Sequence, residues 1–127
     1  MTVQLNHTIV AAHDKHASAR FLADILGLEV SPEFGPFVPV ELPGGVSLDY
    51  MDTPGEVAPQ HYAFLVSEAD FDAIFARIRE AGLTYWADPH HYRPGEINTN
   101  DGGRGAYFDD PDGHRLEILT RPYGSGS

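Results

Sequence analysis

The chain has 127 residues, 42% of them hydrophobic, which is the size and apolar content of one folded domain around one ordinary core. Its 19 acidic residues against 8 basic ones give a formal charge of −11; no cluster of Lys and Arg interrupts that field, which repels phosphate backbones and anionic lipid, so nucleic acid and membrane surfaces are not expected partners. The absence of cysteine removes disulfides, thiolate metal sites and a thiol nucleophile, and leaves only His and carboxylate side chains to hold a transition metal.

The opening residues carry no basic start followed by an apolar run, and no stretch approaches the roughly 18 apolar residues of a spanning helix. A cytoplasmic, soluble protein is expected. Val3 to Val10 has strand character and ends at Asp14, a helix N-cap. A helix is predicted from about Lys15 to Leu26, because Ala17, Phe21, Leu22, Ile25 and Leu26 recur at spacings of three and four, and Gly27 follows where a left-handed cap belongs. Three short strands are predicted next at Leu28 to Ser31, Phe37 to Leu42 and Val46 to Met51, the last two joined by the turn Pro43-Gly44-Gly45.

After a linker at 54–60 the order restarts. His61 to Val66 reads as a strand and Ser67 as a cap. Phe71, Ile74, Phe75 and Ile78 make the clearest helical stripe in the chain, closed by Gly82. Leu83 to Trp86 is a predicted strand, Asp88 to Gly103 a long loop, and Arg104 to Phe108 and His114 to Thr120 are strands across the turn Asp110-Pro111-Asp112-Gly113. His7 and His61 lie 54 apart and Gly27 and Gly82 lie 55 apart, which marks a duplicated supersecondary unit. The expected fold class is α+β, with two tandem βαβββ modules, 1–53 and 61–123, in one domain spanning 1–123. Residues 124–127, Gly-Ser-Gly-Ser, read as a flexible tail.

The last strand of each half reads alike, and Asp49 and Glu117 each stand four residues beyond a turn glycine. Strand side chains alternate between faces. Leu48 and Tyr50 therefore oppose Asp49; Leu116 and Ile118 oppose Glu117; and Tyr62, Phe64 and Val66 oppose His61. If the apolar sets take the helices, His7, Asp49, His61 and Glu117 share the concave face. Two imidazoles and two carboxylates without thiols suit Zn, Ni, Mn, Co or Fe(II).

The strand His61-Tyr62-Ala63-Phe64-Leu65-Val66 with its acidic helix start, and the segment Tyr107-Phe108-Asp109-Asp110-Pro111-Asp112-Gly113-His114-Arg115-Leu116-Glu117-Ile118, resemble the second module of a vicinal oxygen chelate protein, the superfamily of glyoxalase, bleomycin-resistance proteins and extradiol dioxygenases. The resemblance covers almost the whole chain. It implies a curved mixed sheet around a concave cleft with helices outside, and metal ligands at His7, His61 and Glu117. Asp49 falls where glyoxalases place a fourth ligand, usually Glu. Being one methylene shorter, it can coordinate, act through a water, or leave a three-ligand site. Glu117 or Asp49 would be the catalytic base, and closure of sheet edges through a partner subunit implies a homodimer.

Two functions follow from the resemblance. One is a metal-dependent lyase, isomerase or dioxygenase acting on a small oxygenated metabolite. The other is a non-catalytic protein that sequesters an antibiotic or metabolite. The loop 88–103 is long enough to be a lid, and Arg104, Tyr107, His91 and Asn98 are the candidate substrate-binding residues. Lys15 is the only lysine, and such a scarcity of cations argues against a glutathione-type substrate.

Overall fold

A computed structural model of the chain describes residues 1–126. The elements are β1 (His7–Ala12), α1 (Lys15–Leu26), β2 (Phe37–Glu41), β3 (Ser47–Asp52), β4 (His61–Leu65), α2 (Glu68–Glu80), β5 (Tyr85–Trp86), a short 3-10 turn (Asn100–Gly102), β6 (Gly105–Asp109) and β7 (Arg115–Leu119). The fold is α+β, with two sheets of mixed strand direction. It forms two compact units, Met1–Ala58 and Pro59 onward.

In the first unit the strand order is β1-β3-β2, with β1 parallel and β2 antiparallel to β3. Asp14 starts α1 by accepting hydrogen bonds from the backbone of His16 and Ala17, and Gly27 ends it at φ 75°, a conformation that costs a side-chain-free residue nothing. The helix buries Ala19, Leu22, Ala23 and Ile25, while Val10, Ala12, Val38, Val40, Leu48 and Tyr50 supply the sheet's share of the core. Alternation leaves His7, Ile9, Ser47 and Asp49 on the opposite face.

The strand expected at Leu28 to Ser31 does not form. The Leu28 N–H is already committed to the Ala23 carbonyl in the helix cap, at 2.8 Å, and Ser31 makes a single backbone bond to the Pro39 carbonyl, at 2.9 Å. Pro39 has no N–H with which to return a second bond from β2, so a ladder cannot propagate along that edge.

The second unit realises the full βαβββ order. Its sheet runs β4-β7-β6-β5, with β4 parallel to β7 and the remaining pairs antiparallel. Ser67 caps α2 through the Asp70 N–H, and Phe71, Ile74 and Ile78 form the buried stripe. Arg104 fastens the helix to the sheet: its guanidinium pairs with Glu68 and Asp72 at 2.8 Å each and lies 4.4 Å from the centroid of the Phe71 ring.

The 88–103 segment is tied down along its length. The Asp88 carboxylate accepts from the backbone of His90, Tyr92 and Arg93, Gly95 bonds to Tyr85, and Asn98 exchanges two backbone bonds with Gly105. At the other end of β6, Asp110 Oδ1 accepts from the Asp112 and His114 backbones. His114 is fully buried, with Nδ1 accepting from the Gln60 N–H at 2.9 Å. Beyond β7 the chain turns at Pro122-Tyr123-Gly124-Ser125, closed by Ser125 N–H to the Pro122 carbonyl with Gly124 at φ 77°, the geometry of a type II turn. The expected free tail is thus held at Ser125 and at Gly126, whose N–H reaches Asp101; Ser127 lies outside the described residues.

Candidate metal centre

In the second unit the four-stranded sheet brings His61, Tyr107 and Glu117 to one face. Glu117 stands opposite Tyr107 on β6 and Ala63 on β4, and His61 stands opposite Arg115. Glu117 is fully buried, and both of its oxygens are engaged. Oε1 faces His61 Nε2 at 3.1 Å, and Oε2 accepts a hydrogen bond from the Tyr123 hydroxyl. The Tyr107 hydroxyl lies 2.6 Å from that of Tyr123. Tyr123 has one hydroxyl proton and gives it to Glu117, so Tyr107 donates to Tyr123, and the three groups form a directed chain. Although Tyr123 is 59% exposed, the local loss of water around its hydroxyl and the hydrogen bond to Glu117 hold the phenol above its usual range, and burial raises Tyr107. Both remain neutral donors at any ordinary pH.

The contact between His61 and Glu117 is chemically unbalanced. His61 Nδ1 lies 3.0 Å from the Arg115 carbonyl, which can only accept, so Nδ1 carries the proton. In a neutral imidazole Nε2 is then a lone pair, and it points at a carboxylate oxygen. Two acceptors at 3.1 Å require a cation to join them, either a proton or a metal ion. The spacing suits a metal: ligand atoms about 2.1 Å from an ion at adjacent octahedral corners stand about 3 Å apart. The His61 and Glu117 donors fit a divalent ion on those grounds.

The first unit supplies a matching arrangement. His7 Nδ1 lies 2.7 Å from Asn6 Oδ1, which orients the ring and leaves Nε2 for another partner. Asp49, on the same face, receives the Ser47 hydroxyl on Oδ1 at 2.6 Å. Among the described residues no three His, Asp or Glu side chains are gathered into a metal cage.

Two of the four candidate substrate-binding residues are turned to other work. Arg104 shares its strand face with Ala106 and Phe108, away from Tyr107, and its guanidinium is spent on α2. Asn98 donates to the Ala87 carbonyl and accepts from the Asn100 N–H, closing the loop onto the sheet. Tyr107 lies on the same face as His61, its ring stacked 6.0 Å from the imidazole. His91 adopts φ 63° and lies flat on Trp86, with ring centroids 3.6 Å apart and Asp109 within 3.5 Å of Nε2. Trp86 is opposite Tyr107, so His91 flanks the same face.

Tyr123 was not foreseen. It belongs to no periodic element, and the only local signal is the Pro122-x-Gly124 turn that swings it back over β7.

These features define a class. Residues 4–118 match the Glyoxalase/Bleomycin resistance protein/Dioxygenase superfamily, and the chain belongs to that family, whose relatives include metal-dependent, glyoxalase-type enzymes. More particularly, the chain is 83% identical to the solved structure of Oxidase ChaP-H2, covering 100% of both chains with a TM-score of 0.98. It is 68% identical to Oxidase ChaP-H1, covering 97% of this chain and 99% of that one with a TM-score of 0.94. It is also 34% identical over 126 residues to the glutathione transferase FosA of Serratia marcescens, covering 93% of this chain and 81% of that protein.

Proposed function

We propose that the protein is a metal-dependent oxidase acting on a small oxygenated metabolite, with His7, His61 and Glu117 as ligands of a divalent ion and with a homodimer as the working form. The observation that carries this reading is the contact of His61 Nε2 and Glu117 Oε1 at 3.1 Å, a spacing that suits two ligands on one divalent ion. Among the relatives, the oxidases are similar over the entire chain at far higher identity than the transferase, which favours oxygen chemistry.

The supply of cations points the same way. Lys15 is held by the Pro36 carbonyl and Glu33, and Arg104 is neutralised by two carboxylates. Neither is available to hold a polyanionic thiol such as glutathione.

A two-histidine, one-carboxylate set suits iron(II). When bound, such an ion supplies Lewis acidity toward adjacent substrate oxygens and one-electron chemistry with dioxygen. The chain's own groups do the rest. Glu117, buried and fixed at both oxygens, is built to stay in place as a ligand. Asp49 has one oxygen held by Ser47 and the other unengaged, and takes the role of proton acceptor for a chelated hydroxyl. Tyr107 and His91 border the same face and can contact a bound molecule.

Elemental analysis of untagged protein tests the proposal. About one equivalent of iron in the wild type, lost in His61→Ala while cooperative melting is retained, is the expected result. Iron-free wild-type protein that also fails to bind iron(II) when titrated anaerobically would overturn it.

A further inference from the structure

Glu117 is more constrained than a ligand needs to be. A carboxylate that meets an ion through Oε1 still has a second oxygen, which in a buried place must be satisfied or the group will rotate. Here that oxygen accepts from Tyr123, and Tyr123 is supplied in turn by Tyr107. The position of Tyr123 is itself fixed from outside the sheet. The Pro122–Ser125 turn closes on itself, Arg121 Nη2 donates to the Ser125 carbonyl at 3.0 Å, and Gly126 is anchored to Asp101. A residue from the chain's last turn therefore reaches back over six positions to grip the most deeply buried acid of the protein.

We propose that Tyr123 is a positioning residue of the metal centre. Its hydroxyl holds Glu117 Oε2, so that the carboxylate presents Oε1 alone beside His61 Nε2 and binds the ion through one oxygen. This inference rests on the metal reading above. The physical reason is a competition. Without the phenolic donor, Oε2 is a bare anionic oxygen close to a divalent ion, and the carboxylate gains freedom to rotate or to chelate with both oxygens. Chelation would occupy a coordination position that a substrate oxygen would take, and rotation would loosen the placement of Oε1. Tyr107 acts one step further out by fixing where the Tyr123 proton points: with the Tyr107 hydroxyl donated to Tyr123, the Tyr123 proton has Glu117 as its acceptor. Ligand-orienting partners of this kind change metal affinity by about 10- to 100-fold when removed.

The test uses the full-length protein, stripped of metal and titrated with Co(II) under nitrogen, following the visible spectrum of the bound ion. Tyr123→Phe keeps the ring and removes only the hydroxyl. It is expected to raise the Co(II) Kd at least about 10-fold and to change the band positions or intensities, which report coordination number, while the metal-free protein melts within about 4 °C of the wild type. Tyr107→Phe leaves the Tyr123 to Glu117 bond in place and is expected to shift the Kd by a smaller factor with the same direction of spectral change. Tyr123→Leu, which also loses the ring, serves as a second variant: a Kd increase matching that of Tyr123→Phe assigns the effect to the hydroxyl. If the wild type binds Co(II) and Tyr123→Phe binds it with the same Kd and the same spectrum, the positioning role is overturned while the metal centre stands. If the wild type binds no Co(II), the metal reading falls and this inference with it.

Discussion

Glu117→Gln separates the two ways in which the His61 contact can be balanced. In the metal-free protein the variant amide fits the existing hydrogen-bond pattern: its oxygen accepts from Tyr123 and its N–H donates to the His61 Nε2 lone pair, so two facing acceptors become a donor and an acceptor. The volume is unchanged and no buried group is orphaned. A 127-residue chain has an unfolding entropy of about 0.27 kcal/mol/K, at roughly 2.1 cal/mol/K per residue, so a change within about 1 kcal/mol keeps Tm within about 4 °C. With metal the outcome reverses. An ion present at 100 times its Kd stabilises the wild type by about 2.7 kcal/mol, or about 10 °C. If loss of the anionic ligand weakens affinity about 100-fold, the same concentration adds about 0.4 kcal/mol to the variant, or about 1.5 °C. Differential scanning calorimetry with and without Co(II) reads both numbers. A variant that keeps the full 10 °C rise would refute the assignment of Glu117 as a ligand.

Two further outcomes test the scaffold. Arg104→Met keeps an apolar stem on Phe71 and removes the pairs to Glu68 and Asp72, all solvent-accessible; Tm should fall by no more than about 4 °C and Co(II) affinity should be unchanged, whereas a loss of substrate affinity would return Arg104 to the site. Burial raises the Asp110 carboxyl above its ordinary range, opposed by the His114 and Asp112 backbone bonds, and its Oδ2 is buried without a hydrogen-bond partner. A carboxyl that binds its proton more tightly when folded contributes stability that is fully present below its unfolded value of about 3.9 and is lost as pH rises through the higher folded value. Asp110→Asn has no such loss, so the urea midpoint of the variant relative to the wild type should rise from about pH 3.5 to pH 7; parallel midpoint curves would contradict this.

Much of the second unit could be read from the residues alone, because two independent periodicities agreed there. The 3.6-residue stripe of Phe71, Ile74 and Ile78 located α2, and two-residue alternation in β7 set Glu117 against Leu116 and Ile118, as observed. Strand parity also bears on Arg104: an odd spacing from Tyr107 puts the two on opposite faces, while its charged partners on α2, Glu68 and Asp72, were hidden in the sequence. The missing strand after Gly27 was illegible because the deciding group is an absent one, the N–H of Pro39, eight or more positions further on. Tyr123 was illegible for a different reason. Its role comes from the direction of a turn, and composition registers Pro-x-Gly-Ser as punctuation without saying where the enclosed side chain lands.

The same proline limits how a foreign strand could add to the first sheet. Edge strands are templates on which foreign chains add, and a template works only if donors and acceptors alternate without a gap. On the outer side of β2, Pro39 offers no donor, and its carbonyl is already taken by Ser31. An incoming strand would meet a blank at the middle of a five-residue edge and could not register past it. The first sheet thus ends at β2 by chemistry, so concentrated solutions of the protein are expected to resist sheet-by-sheet growth along that side.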